Sequence, residues 1–189
     1  MPRLRLLLLP LLALGLTCQA QQDPARDAAG LKYFTDVPLI TQDGNSVRLY
    51  SDLLHGRVVV INSFFATCTG ACPTMEAMLA ALQRRLGDRA KDVLILSFSV
   101  DPQTDTPEKL KAYAEQLHAQ PGWLFLTGDK RNIDFALAKL GQMTDRKEDH
   151  QTVFIVGNEK TGLWKKVLAP KATADSLKEI VDSVLNDKG

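Results

Sequence analysis

The stretch from Val58 to Pro73 constrains this chain more than any other. Val58-Val59-Val60-Ile61 opens an apolar, β-branched run that is too short for a helix and reads as a buried strand. Its end delivers Cys68 and Cys72, and Pro73 then opens a helix, where its missing N–H costs nothing. Cys72 therefore starts that helix, where partial positive charge favours thiolate over thiol. Cys68 lies one turn earlier, close enough for both sulfurs to grip one atom.

Around this stretch, strands and helices alternate. Val37–Thr41 and Ser46–Tyr50 flank Gln42-Asp43-Gly44-Asn45, a hairpin signal. Leu53 to Gly56 is a connector. The helix from Pro73 continues through Met75, Met78, Leu79, Leu82 and Leu86 at helical spacing and stops at Gly87. Val93–Val100 is a second apolar strand. Thr106 caps and Pro107 starts the next helix, which runs to about Leu117. Trp123–Thr127 reads as strand, Arg131–Leu140 as helix, Thr152–Gly157 and Leu163–Leu168 as strands, and Thr173–Leu185 as a last helix. The pattern predicts one α/β domain with a mixed central sheet, helices on both faces and an N-terminal hairpin.

The first residues are of another kind. Arg3 and Arg5 precede an apolar run from Leu6 to Leu16, well short of the roughly 20 residues that span a bilayer. This is the form of an export signal over residues 1–20, in preference to a short buried helix. Cleavage after Ala20 and lipidation of Cys18 are both open, and either puts the domain outside the cytoplasm, in the periplasm, membrane-associated at most through its N-terminus. Residues 21–36 read as a tether and residues 37–189 as the domain. Losing Arg3 and Arg5 turns the formal net charge of +1 slightly negative, so no basic field invites nucleic acid. Cleavage after Ala20 would leave only Cys68 and Cys72. A lone close pair is no disulfide framework; in an exported protein it reads as a redox or metal pair.

Candidate partners for the sulfurs are few. His55 lies in a connector and reads as solvated, and His118 falls in the last turn of a helix, where it suits the dipole. His150 stands just before a buried strand, at the end of a loop carrying Asp145, Glu148 and Asp149. Strand ends and helix N-termini converge on one rim of an α/β sheet, so Cys72 and His150 can meet if their strand ends share an edge. Otherwise His150 is a surface loop residue. Met75 and Met78 have the spacing of a core face, with transient copper contact the lesser reading.

Three motifs together are similar to the Sco/SenC copper chaperones: Cys68-Thr69-Gly70-Ala71-Cys72-Pro73, then Asp101-Pro102-Gln103-Thr104-Asp105-Thr106-Pro107, then Asp149-His150 before a strand. The resemblance runs from about Val37 to the C-terminus. It implies a thioredoxin-like fold and a copper site whose ligands are Cys68, Cys72 and His150. Copper, as Cu(I) or Cu(II), would go to the copper-bearing subunit of cytochrome c oxidase, with other copper chaperones as further partners. Asp101 and Asp105 would shape the adjacent loop; alternatively they accept backbone N–H bonds in a Pro-anchored turn. The chain departs from the family pattern at Phe65-Ala66-Thr67, where glycine-aromatic-threonine is usual, and at Thr69, where proline is frequent.

Thiolates select Cu(I) or Zn, and an added imidazole also suits Cu(II). Three ligands leave a position open for an acceptor, whereas a structural zinc site more often has a fourth protein ligand. The alternative is a thiol–disulfide reductase that keeps oxidase copper-site cysteines reduced, since the same sulfurs suit exchange. Spacing favours copper binding without turnover. Three residues separate the cysteines where thioredoxin-like redox motifs have two, and His150 would have no task in simple exchange. Gln151-Thr152 also stands where such reductases carry a cis-proline. A peroxidase of the peroxiredoxin kind would need a nearby arginine, and none lies between Arg57 and Arg84.

Overall fold

In the computed structural model, residues 24–189 are described. The export signal and Cys18 lie outside them. The elements are α1 (Pro24–Phe34), β1 (Pro38–Thr41), β2 (Ser46–Arg48), β3 (Val58–Phe64), α2 (Cys72–Leu86), β4 (Val93–Ser99), α3 (Pro107–Gln116), β5 (Trp123–Thr127), α4 (Lys130–Lys139), β6 (Val153–Asn158), β7 (Leu163–Leu168) and α5 (Ala174–Leu185). The seven strands form one mixed sheet in the order β2-β1-β5-β4-β3-β6-β7. Strands β3, β4 and β5 are parallel, and β1 and β6 run antiparallel to them.

Every residue of β3 is buried, as a strand covered on both faces requires. Val58, Val60 and Phe64 pack with Met75, Leu79 and Leu82 of α2 and with Leu177 and Val181 of α5. Val59 and Ile61 face the other way, toward Ile133, Ala136 and Leu137 of α4 and toward Leu49, Leu53 and Leu54. Those last three belong to a π-helical turn, Leu49–Leu54, which takes in the first half of the expected connector and ends the second hairpin strand at Arg48.

Two expectations give way near the N-terminus. Pro24–Phe34, inside the stretch read as a tether, is a helix. It buries none of its own residues, but its last one, Phe34, stacks on Tyr50 at 6.3 Å and leans on Trp164 at 5.7 Å. His55 is not simply solvated: its Nε2 is 3.2 Å from Asp27 Oδ1 on α1, and its ring lies 5.3 Å from that of Tyr50. His118, just past the end of α3, is exposed and left-handed, with φ 53°.

Topology decides where function can sit. Because β6 runs antiparallel beside β3, with Val58 opposite Asn158 and Ile61 opposite Ile155, the end of β3 lies next to the start of β6. The cysteine loop and the loop before β6 therefore reach the same rim.

Candidate metal centre

At that rim the chain leaves β3 through Phe65, turns so that the Cys68 N–H donates to the Phe65 carbonyl at 3.0 Å, and enters α2 at Cys72. Cys72 is buried, Cys68 is partly exposed, and both are free thiols. His150 arrives from the other side, after a 3-10 turn at Lys147–Asp149. Its Nε2 lies 3.2 Å from Cys72 Sγ, and only 7% of the residue is exposed. The ligand atoms of Cys68, Cys72 and His150 all lie within 4.8 Å of one another. Two atoms held about 2.3 Å from a common metal are at most about 4.6 Å apart, so this group fits one ion with small adjustments.

Burial governs the chemistry of the group. It pushes the Cys72 thiol up to about 12, with the neighbouring Cys68 thiol adding to the effect. The thiolate expected from the helix start is thus overruled in the metal-free protein. Burial also pulls the His150 imidazole below its ordinary value, so the ring is neutral at pH 7. Cys72 Sγ and His150 Nε2 share a hydrogen-bond contact, and His150 Nδ1 is buried.

Asp101 and Asp105 brace the rim. Asp105, 1% exposed, accepts at Oδ2 from the Ala66 N–H at 3.1 Å and from Ser99 Oγ at 2.6 Å. It ties the loop after β4 to the cysteine loop. Asp101 receives Lys147 Nζ at 2.7 Å, and that nitrogen also sits 5.2 Å over the Phe65 ring. Phe65 meets His150 edge-on, with centroids 5.8 Å apart and planes at 89°. In front lies an open cavity of about 470 Å³, lined by Phe65, Thr67, Cys68, Thr69, Lys147 and His150 among others. Met75 is core and Met78 packs against the core, as their spacing suggested.

Sequence reasoning missed two residues. Lys147 sits among charged loop residues and has no local signature. Glu76 is wholly buried one turn beyond Cys72, on the face of Leu79 and Gln83, where a polar residue is itself a signal. Its Oε1 accepts from Asn62 Nδ2 at 2.8 Å, Asn62 Oδ1 accepts from Ser97 Oγ at 2.7 Å, and Ser97 Oγ accepts from Trp123 Nε1 at 2.9 Å.

A mixed sheet with helices on both faces, carrying a two-thiol, one-imidazole group at the rim where β3, α2 and β6 meet, defines a thioredoxin-like domain with a thiol–imidazole centre. The SCO1/SenC family model matches residues 23–186, and the chain belongs to that family. It is 36% identical over 115 residues to the SCO1 protein homolog of Bacillus subtilis (strain 168), covering 59% of this chain and 58% of that one. The chain spans about half the length of the curated relatives it matches. Among solved structures, BsSco, described as a member of the Sco family of cytochrome c oxidase assembly proteins with a disulfide switch, is 32% identical with a TM-score of 0.67, over 80% of this chain and 92% of that one. Copper-bound yeast Sco1 shares the fold, with a TM-score of 0.67 at 20% identity over 81% of this chain and 88% of that one. Among the described residues no helix is long and apolar enough to cross a membrane.

Proposed function

We propose that this protein takes up copper as cargo at Cys68, Cys72 and His150 and delivers it to the copper centre of cytochrome c oxidase. One observation carries the reading: two sulfurs and an imidazole nitrogen, on loops about eighty positions apart, lie within 4.8 Å of one another at an open rim. Membership of a family of oxidase assembly proteins and a fold shared with a copper-bound member support it. The donor set suits Cu(I) through its thiolates and Cu(II) through the added imidazole. With three protein ligands the ion keeps a position open, so that a ligand of the acceptor can enter before those of the donor leave. The partly exposed Cys68 faces the cavity from which such a ligand would come. The site of action is the periplasm, reached through the export signal of residues 1–20, with the N-terminus either released or held at the membrane. Its partners there are the copper-bearing oxidase subunit and other copper chaperones.

The test is a titration of the reduced protein with Cu(I) against a competing chelator. One equivalent should bind, and Cys68→Ser, Cys72→Ser and His150→Ala should each weaken uptake by orders of magnitude. Binding by His150→Ala as tight as that of wild type would overturn the three-ligand site.

A second reading has its own support in the adjacent free cysteines and in the disulfide switch described for BsSco. Here the pair reduces a disulfide between copper-site cysteines of the oxidase, Cys68 attacking and Cys72 resolving, so that one disulfide forms as the other opens. Copper-free turnover on an oxidised peptide from the acceptor would establish this activity; no turnover would exclude it.

A further inference from the structure

We propose that Lys147 is a positioning residue for the thiol–imidazole centre. Its ion pair with Asp101 and its seat over Phe65 latch the turn before His150 onto the cysteine loop. The inference deepens the reading of the metal centre given above, but its first readout needs no metal.

His150 belongs to the connection between α4 and β6. Its own turn is held by local bonds only, from the Asp149 N–H to the Arg146 carbonyl at 3.0 Å and from the His150 N–H to the Lys147 carbonyl at 3.3 Å. Among the described residues, two polar contacts join residues 143–150 to the other side of the rim. One is the Cys72–His150 contact itself; the other is Lys147 Nζ on Asp101 Oδ2. On the far side of the ring, Gln151 Nε2 donates to the Gly141 carbonyl and the Ala169 N–H donates to the Thr152 carbonyl, so the Lys147–Asp101 pair is what ties the turn before the ring to the cysteine side of the rim.

The far end of the latch is fixed. The Asp101 N–H donates to Ser99 Oγ at 3.0 Å, and the Asp101 carbonyl accepts from the Thr104 and Asp105 N–H groups at 3.0 and 2.9 Å. Ser99 and the Ala66 N–H both donate to Asp105 Oδ2, so Asp101 is anchored, through two bonds, to the loop that carries Cys68. The pair is also partly withdrawn from water, with side chains 15% and 36% exposed for Asp101 and Lys147. Such a pair resists screening better than a fully solvated one. The Lys147 ammonium adds a cation–π contact to Phe65, the ring that meets His150 edge-on. Lys147 thus touches one neighbour of the imidazole, Phe65, and ties the turn before the ring to Asp101.

The experiment measures carbethoxylation of His150 by diethyl pyrocarbonate in the metal-free protein. Mass spectrometry would follow it, with the exposed His118 as internal reference. Lys147→Met removes the charge and keeps the length; Asp101→Asn removes the other charge. Each should speed modification of His150 by up to about fivefold, the upper end for a pair of this kind. The double variant should be no faster than either single one, because both break the same contact. Lys147→Arg should behave as wild type. Unchanged protection of His150 in both single variants, or effects that add in the double variant, would overturn the latch.

Copper release to a chelator should quicken in the same two single variants. If wild type takes up no copper while both variants unmask His150, the copper reading fails and the latch stands. If wild type binds copper through all three residues and neither variant unmasks His150, the latch fails alone.

Discussion

Replacing Glu76 by Gln should shift the stability of the metal-free protein in favour of the variant as the pH rises through neutrality. The Glu76 carboxyl is completely buried, and burial pushes it up to about 8 from an ordinary 4.5, against the opposing pull of the Asn62 hydrogen bond. Below the ordinary value both the folded and unfolded chains hold the proton, and ionisation costs nothing. Between the two values the unfolded chain ionises while the folded one must keep its proton. The unfolded state then binds fewer protons, and stability falls by about 1.4 kcal/mol for each pH unit. The loss is about 3 kcal/mol by pH 7 and levels off near about 5 kcal/mol above the folded value. Gln retains the Oε1 that accepts from Asn62, and its amide nitrogen occupies the place of Oε2, which has no partner in either case. The variant therefore keeps the packing and removes the ionisation, at the pH-independent cost of one further buried N–H without a partner. Urea unfolding of both proteins at about pH 4, 7 and 9 gives the difference curve, from which titrations common to the two cancel. A difference that is constant in acid and then moves in favour of Gln through neutrality is expected. A difference that does not move with pH would refute the reasoning.

Two other substitutions test the frame of the site. Asp105→Ala leaves the Ala66 N–H and the Ser99 hydroxyl without their acceptor. It should cost about 2–4 kcal/mol in urea unfolding and quicken alkylation of Cys68; no loss of stability would show that Asp105 braces nothing. Gly157→Ala places a methyl 2.1 Å from Cε3 of Trp164, a ring with no free end to yield. It should cost about 1–3 kcal/mol by overpacking, with a shift in indole fluorescence, and an unshifted spectrum would refute that account.

Much of the fold was legible because burial on both sheet faces leaves unbroken apolar runs. Val58–Ile61, Val93–Leu96 and Trp123–Thr127 could be nothing but strands in a chain of this length. The rim was legible as a condition: Cys72 and His150 could meet if their strand ends shared an edge, and antiparallel pairing of β6 with β3 supplies that edge. Helix α1 was not legible, since it buries none of its own residues and docks through Phe34 and polar contacts such as Asp27 with His55, whose partners are distant in sequence. Lys147 was hidden for a related reason. Its partner is 46 positions away, and a lysine in a charged loop has the same local pattern whether paired or solvated.

Cys72 shows why a correct local argument can still reach the wrong charge state. A helix start favours a thiolate by about 0.3–1 kcal/mol, less than the roughly 1.4 kcal/mol of a single pKa unit. Against that stands removal from water, which pushes this thiol up to about 12. The sequence signals the first influence through Pro73; the second exists only once Cys72 is buried in the core and His150 has reached its sulfur. The helix start therefore serves to aim Cys72 at the rim, and activation is left to whatever displaces its proton. A soft metal ion would do so directly at this buried thiol, whereas in exchange the partly exposed Cys68 would have to react first.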